Sequence, residues 1–293
     1  MRHRFIAAFA SAIALIALPA LAETLSAQNN RNQQAAAGPS KPTPRWPNGK
    51  PRLSSLPGET GLWNPNGRPL MAEPETDAAI PDGQGRGAFS GPPIAGKPKE
   101  SEVPFQDWAK ALYRWREENL FEPHTRCKPS GGPRQFITPG GTEFFDNPDL
   151  QSIYILDQAG PGTYRVIYMD GRPHPADLAP SYYGHSVGHW EGDTLVVDTI
   201  GFNERFWIDR QGIPHTEQMH LTERFTRTDH ANMRLDLTFD DPGAYTRTWT
   251  TGFWIRYNPG REWDEYICQE NNKASDLMIG NEDGLVRHSP IIP

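Results

Sequence analysis

Residues 220–239 read His220-Leu221-Thr222-Glu223-Arg224-Phe225-Thr226-Arg227-Thr228-Asp229-His230-Ala231-Asn232-Met233-Arg234-Leu235-Asp236-Leu237-Thr238-Phe239. Two alternating runs flank a polar turn at Asp229–Asn232, the signature of a β-hairpin. Met233, Leu235, Leu237 and Phe239 share one face, with Arg234, Asp236 and Thr238 opposite. On the partner run Leu221, Glu223, Phe225 and Arg227 share a face, and Thr222, Arg224 and Thr226 point away. One side of this hairpin is built for burial.

The same texture extends in both directions. Upstream, the runs Ser152–Leu156, Tyr164–Met169, Val187–Trp190 and Thr194–Phe202 are separated by turn residues such as Asp170-Gly171 and Glu191-Gly192-Asp193. Downstream, Thr248–Tyr257 carries Trp249, Thr251, Phe253, Ile255 and Tyr257 on one face, and Glu265–Gln269 reads as a last short strand. A long meander tends to close so that no edge stays exposed. The expectation is a mainly β domain over 121–272, an antiparallel meander closed into a lipocalin-like barrel, with a β-sandwich as the alternative.

Before it, Phe105, Trp108, Leu112 and Trp115 form a helical stripe, so 103–120 reads as an amphipathic helix packed on the barrel. Residues 23–102 are rich in Pro, Gly, Asn, Ser and Gln and read as an irregular arm or linker, touching the domain at Leu62-Trp63 and Leu70-Met71. Residues 273–293 form a tail.

The start of the chain speaks to compartment. Met1-Arg2-His3-Arg4 is basic, Phe5–Leu21 is nearly all apolar, and Ala20-Leu21-Ala22 offers a small-x-small cleavage pattern, so 1–22 is expected to be a secretory signal peptide. No later stretch reads as a membrane span. The expected location is periplasmic or secreted, and Cys127 and Cys268 are expected to form a disulfide there, contributing about 4 kcal/mol on the chain-entropy model. Residues 1–22 hold Arg2 and Arg4 and no acid, so 27 basic residues then face 36 acidic ones, a net charge of −9. That balance argues against nucleic acid as a partner.

The stretch Gly184-His185-Ser186-Val187-Gly188-His189-Trp190-Glu191-Gly192-Asp193-Thr194-Leu195-Val196-Val197-Asp198-Thr199 resembles a group of exported bacterial proteins of unassigned function. The resemblance includes Asp170-Gly171-Arg172-Pro173-His174-Pro175 and Asp240–Thr246, ends near Cys268–Asn272, and covers most of 125–272. It implies no reaction and assigns no catalytic residue. A looser likeness to calycin-type barrels, which enclose apolar ligands, rests on architecture alone.

Among residues able to carry chemistry, His185 stands just before a strand, close to His174, Tyr182 and Tyr183. It reads equally well as an acid/base group and as a backbone-bonded structural histidine. His174, between prolines, reads first as structural. His185 and His189 lie about 13 Å apart on an extended strand, too far for one ion, and no metal or cofactor is expected. Glu223 shares its face with Leu221 and Phe225, which makes it either a group with a raised pKa or half of an ion pair, with Arg227 as partner.

Three functions follow as expectations: a barrel binding a small apolar or aromatic molecule; a cofactor-independent hydratase, lyase or isomerase using His185 and Glu223; or an interaction module. Arg172, His174, Tyr183, Trp190, Phe225 and Trp249 are the candidate ligand contacts.

Overall fold

Nine strands close into a barrel in chain order: β1 (Gly61–Asn66), β2 (Thr142–Phe145), β3 (Ser152–Asp157), β4 (Thr163–Tyr168), β5 (His185–Glu191), β6 (Thr194–Ile200), β7 (His220–Arg227), β8 (Asn232–Asp240) and β9 (Trp249–Pro259). The structure, a computed structural model, describes residues 41–66, 70–75, 97–119, 122–138, 140–158 and 163–268. The expected signal peptide and the tail at 273–293 lie outside the described residues. No helix among the described residues is long and apolar enough to cross a membrane.

Period-two alternation fixes which side chains fill the barrel. Met233, Leu235, Leu237 and Phe239 of β8 are buried, as are Trp249, Phe253, Ile255 and Tyr257 of β9. Leu221 and Phe225 of β7 join them, with Leu195 and Val197 of β6. Each such side chain contributes about 1.5–3 kcal/mol by leaving water. A barrel of this strand number has an interior that side chains can fill. The 3-10 turn Gly132–Ile137 helps do so: all its residues are buried, and Phe136 packs edge-on against Phe225 (centroids 5.3 Å) and stacks on Phe144 at 6.0 Å.

Four sequence expectations need correction. First, the arm is not merely a linker. Residues 61–66 form β1, which pairs with β9 (Trp63 opposite Tyr257) and with β2 (Trp63 opposite Thr142), closing the ring. Asn64-Pro65-Asn66 imitates turn chemistry, which hid this strand.

Second, the meander is not antiparallel throughout. β4 and β5 run parallel, with Ile167 opposite Ser186 and Tyr168 opposite Val187. A parallel pair needs a long return connection, supplied by residues 169–184. Third, the helix α1 spans Asp107–Asn119 and buries Ala109, Tyr113 and Arg116, while Trp108 is 42% exposed. Arg116 turns inward because its guanidinium lies over Trp207 (4.8 Å) and donates to the Gly212 carbonyl at 3.0 Å. Fourth, of the strand expected at Glu265–Gln269, residues 265–268 form none and Gln269 lies outside the described residues, so β9 is the last strand among those described.

Cys127 and Cys268 stand at disulfide distance, with Cα atoms 5.6 Å apart.

Candidate functional site

The parallel seam between β4 and β5 organises the site. Because residues 169–184 must return along the outside of the barrel, they lay His174 against the outer face of β5, β6 and β7. Gly171, at φ +75°, lets the loop turn away from β4. Asp170 then holds Arg172 through its backbone N–H and its guanidinium, and that guanidinium sits 4.0 Å over the Tyr168 ring.

Alternation along β5 turns Ser186 inward and His185 outward. The His185 ring stacks on Tyr168, centroids 5.1 Å apart, and meets His174 edge-on, with the two Nδ1 atoms 2.8 Å apart. On its far side His174 places Nε2 2.8 Å from Asp198 Oδ1. Asp198 is the outward acid of the Val196-Val197-Asp198 run, and the registers Val187–Asp198 and Asp198–Thr222 set it between β5 and β7. Its second oxygen bonds Nε2 of His220, at the start of β7. Four side chains from four segments therefore form one hydrogen-bonded row: His185, His174, Asp198, His220.

With both rings of the His174–His185 pair neutral, the row allows one protonation pattern. An Asp198 carboxylate only accepts, so His174 donates through Nε2 and, as a neutral ring, accepts at Nδ1. His185 must then donate through Nδ1. Its Nε2 is left as a lone pair, the basic end of an Asp–His–His relay. Desolvation, the largest cause, with the nearby Arg172 guanidinium adding to it, holds the His185 pKa below its ordinary value, which keeps this ring neutral near neutral pH. Among the described residues no three His, Cys, Asp or Glu side chains converge on one cation position.

His185, His174 and Arg172 are thus brought together, as the sequence invited. Asp198 and His220 were missed. Each sits on an outward, alternating position, and only the strand register shows that they meet.

Glu223 is not part of this group. It is buried inside the barrel, where Arg165 Nη1 donates to its Oε1 at 3.0 Å and Arg165 Nη2 bonds its Oε2. The same guanidinium donates to Ser186 Oγ (3.0 Å) and Thr199 Oγ1 (2.8 Å), so four inward polar groups satisfy one another. The expected pairing with Arg227 is replaced by this one. Arg227 instead lies over Trp63 at 4.8 Å and donates to the His230 carbonyl at 2.6 Å. His185 and Glu223 face opposite sides of the barrel wall and share no space.

The remaining candidates scatter. Tyr183 bonds Thr163 Oγ1 at 2.9 Å, Phe225 packs against Phe136 and Phe144, and Trp249 stacks on Phe239 at 4.6 Å. Trp190 lines a pocket of about 240 Å³ with Trp46, Ile153 and Met169, at the end of the barrel where β2 leaves, β3 begins and β5 ends. His189 is outward and pairs with Glu191 at 3.2 Å.

No family model, curated protein or solved structure matches this chain.

Proposed function

We propose that the protein is an exported, cofactor-independent acid/base enzyme whose proton-transfer site is the His185–His174–Asp198–His220 row on the outer wall of the barrel. The observation that carries this reading is the 2.8 Å contact between the two Nδ1 atoms, because with both rings neutral and His174 donating to Asp198 it puts the His185 proton on Nδ1 and leaves Nε2 as the base. A neutral imidazole backed by a second imidazole and a carboxylate is suited to taking a proton from a small molecule and returning it, as hydration, elimination or isomerisation requires. Arg172, the cation beside His185, supplies charge for a developing oxyanion. Export is supported by the basic-apolar start of the chain and by the cysteine pair at disulfide distance.

The test is exchange and turnover in D2O, followed by proton NMR, with a panel of β-hydroxy and α,β-unsaturated carbonyl compounds. The wild type is expected to exchange or interconvert at least one of them about 10²–10⁴-fold faster than His185→Gln, the range one acid/base group supplies. Equal rates for the two proteins across the panel would overturn the reading.

A second reading is favoured by the end pocket lined by Trp46, Ile153, Met169 and Trp190. Two indoles, a thioether and an isoleucine form a surface for a single aromatic ring. Indole quenching of tryptophan fluorescence that Trp190→Ala abolishes would support it, and quenching unchanged in that variant would remove it.

A further inference from the structure

The outer wall changes character beside the histidine row. On β7 and β8 the outward positions hold Arg224, Arg234 and Asp236, as a solvated face does. On β2, β3 and β4 they hold Phe145, Tyr154, Leu156, Tyr164 and Val166, and Glu143 is the one charged outward side chain of these three strands. Trp263 Nε1 donates to that carboxylate. Phe145 is 45% exposed, Tyr154 36% and Tyr164 61%. In a chain with 22% charged residues, a contiguous apolar face of this kind marks a place of contact.

The strand registers join this face to the histidine row. Phe145 stands opposite Tyr154, and Tyr154 opposite Val166. One strand further on, Ser186 pairs with Ile167, which sets the outward His185 beside Val166. Four residues therefore cross β2 to β5 in one line that ends at the base. Tyr168, at the end of β4, adds to the join: the His185 ring stacks on it at 5.1 Å, and the Arg172 guanidinium lies 4.0 Å over it.

Area decides what can lie there. Strands about 4.8 Å apart, rising about 3.3 Å per residue over six residues, give a face of about 14 Å by 20 Å, roughly 300 Å². A stable protein partner covers about 800 Å² on each side. The face is too small to seat a second copy of this chain, and it suits the flexible chain of one small molecule.

We propose that the outer face of β2–β4 holds the hydrocarbon tail of the substrate, so that the site takes α,β-unsaturated or β-hydroxy carbonyl compounds bearing an uncharged alkyl chain. This substrate class rests on the reading of His185 as the proton-transfer base. The carbonyl end lies at His185 and Arg172. The chain runs over Val166 and Tyr154 toward Phe145, whose apolar surfaces take it out of water.

The experiment compares methyl crotonate with methyl 2-nonenoate, which is five methylenes longer, by calorimetric titration and by turnover. The longer ester is expected to bind about thirty-fold more tightly, about two-fold for each methylene buried on one side only. Phe145 and Tyr154 are exposed, so the double variant Phe145→Ser with Tyr154→Ser should fold, and it should cut that ratio to about five-fold or less. His185→Gln should abolish turnover and keep the ratio. A wild type that binds the longer ester more tightly but converts neither would remove the acid/base reading and leave the alkyl-binding face standing. Equal affinities for the two esters, a ratio unchanged in the double variant, or a dimer in light scattering that the double variant dissolves would each overturn the proposal.

Discussion

His174 Nε2 lies 2.8 Å from Asp198 Oδ1, so the loop that makes the parallel crossover from β4 to β5 is moored to the next strand beyond, β6. That mooring also sets the tautomer of His174 and, through it, of His185. Long-range proton–nitrogen spectra at pH 7.5 should show His174 protonated at Nε2 and His185 at Nδ1. Asp198→Asn, whose amide can donate, should disturb both assignments and lower any turnover about 10²–10⁴-fold. Unchanged tautomers in that variant would show that Asp198 does not govern the row.

Replacing His185 itself separates function from structure. The ring is outward and bonds another side chain, not the backbone. His185→Ala is therefore expected to shift the melting temperature by no more than a few degrees. A larger fall would make His185 a structural tether of the loop.

Inside the wall the expectation is reversed. Glu223→Ala leaves Arg165 charged and buried, and should destabilise the fold by about 3–5 kcal/mol in urea unfolding. Removing both charges as Arg165→Met with Glu223→Met should cost clearly less than the sum of the single changes. Additive losses would contradict a mutually dependent pair.

Acid should weaken the protein through His215. Burial, the largest cause, takes this imidazole from 6.5 down to about 4, and its Nε2 lies 3.2 Å from the Phe206 carbonyl. The folded state thus binds fewer protons than the unfolded state between these values. Stability is full above pH 6.5 and falls as the pH drops toward 4, by about 3 kcal/mol from this group. His215→Gln should flatten the urea midpoint over that window, and an unaltered slope would assign the acid sensitivity elsewhere.

The closing strand can be tested at one glycine. A Cβ on Gly61 would come within 2.4 Å of the Tyr257 ring, on the strand opposite. Gly61→Ala should cost about 1–3 kcal/mol, as overpacking does, and Gly61→Ala with Tyr257→Leu should recover part of it. A neutral Gly61→Ala would show that β1 does not seat tightly on β9.

The barrel was legible where alternation was strong and turns were tight. β7 to β9 declared both their inward faces and their order, and Glu191-Gly192-Asp193 did mark the β5–β6 turn. What escaped had physical reasons. The four-residue β2 is too short to show a period, and β1 contains Pro65, tolerated there as a strand of mixed composition near the chain's irregular arm. The helix was expected to bury the stripe of Phe105, Trp108, Leu112 and Trp115, and Ala109, Tyr113 and Arg116 are buried instead, Arg116 placing its guanidinium over Trp207 and donating to the Gly212 carbonyl. His185 and His174 stood out through their local setting. Asp198 and His220 did not, since their meeting depends on the stagger of β6 against β7, which no single segment records.

The pairing of β1 with β9 also dictates a timetable. The strand that closes the ring comes before all the others in the chain, and its partner comes last, so Trp63 must wait for Tyr257 before either edge is covered. Such distant pairing is slow to form and leaves both edges open until the final strand is available. A chain with this wiring stays threadable along its whole length for as long as its C-terminal third is held back. That is the condition passage through a secretion channel requires, and under the proposed export the barrel, and the histidine row on its wall, would assemble on the far side of the membrane.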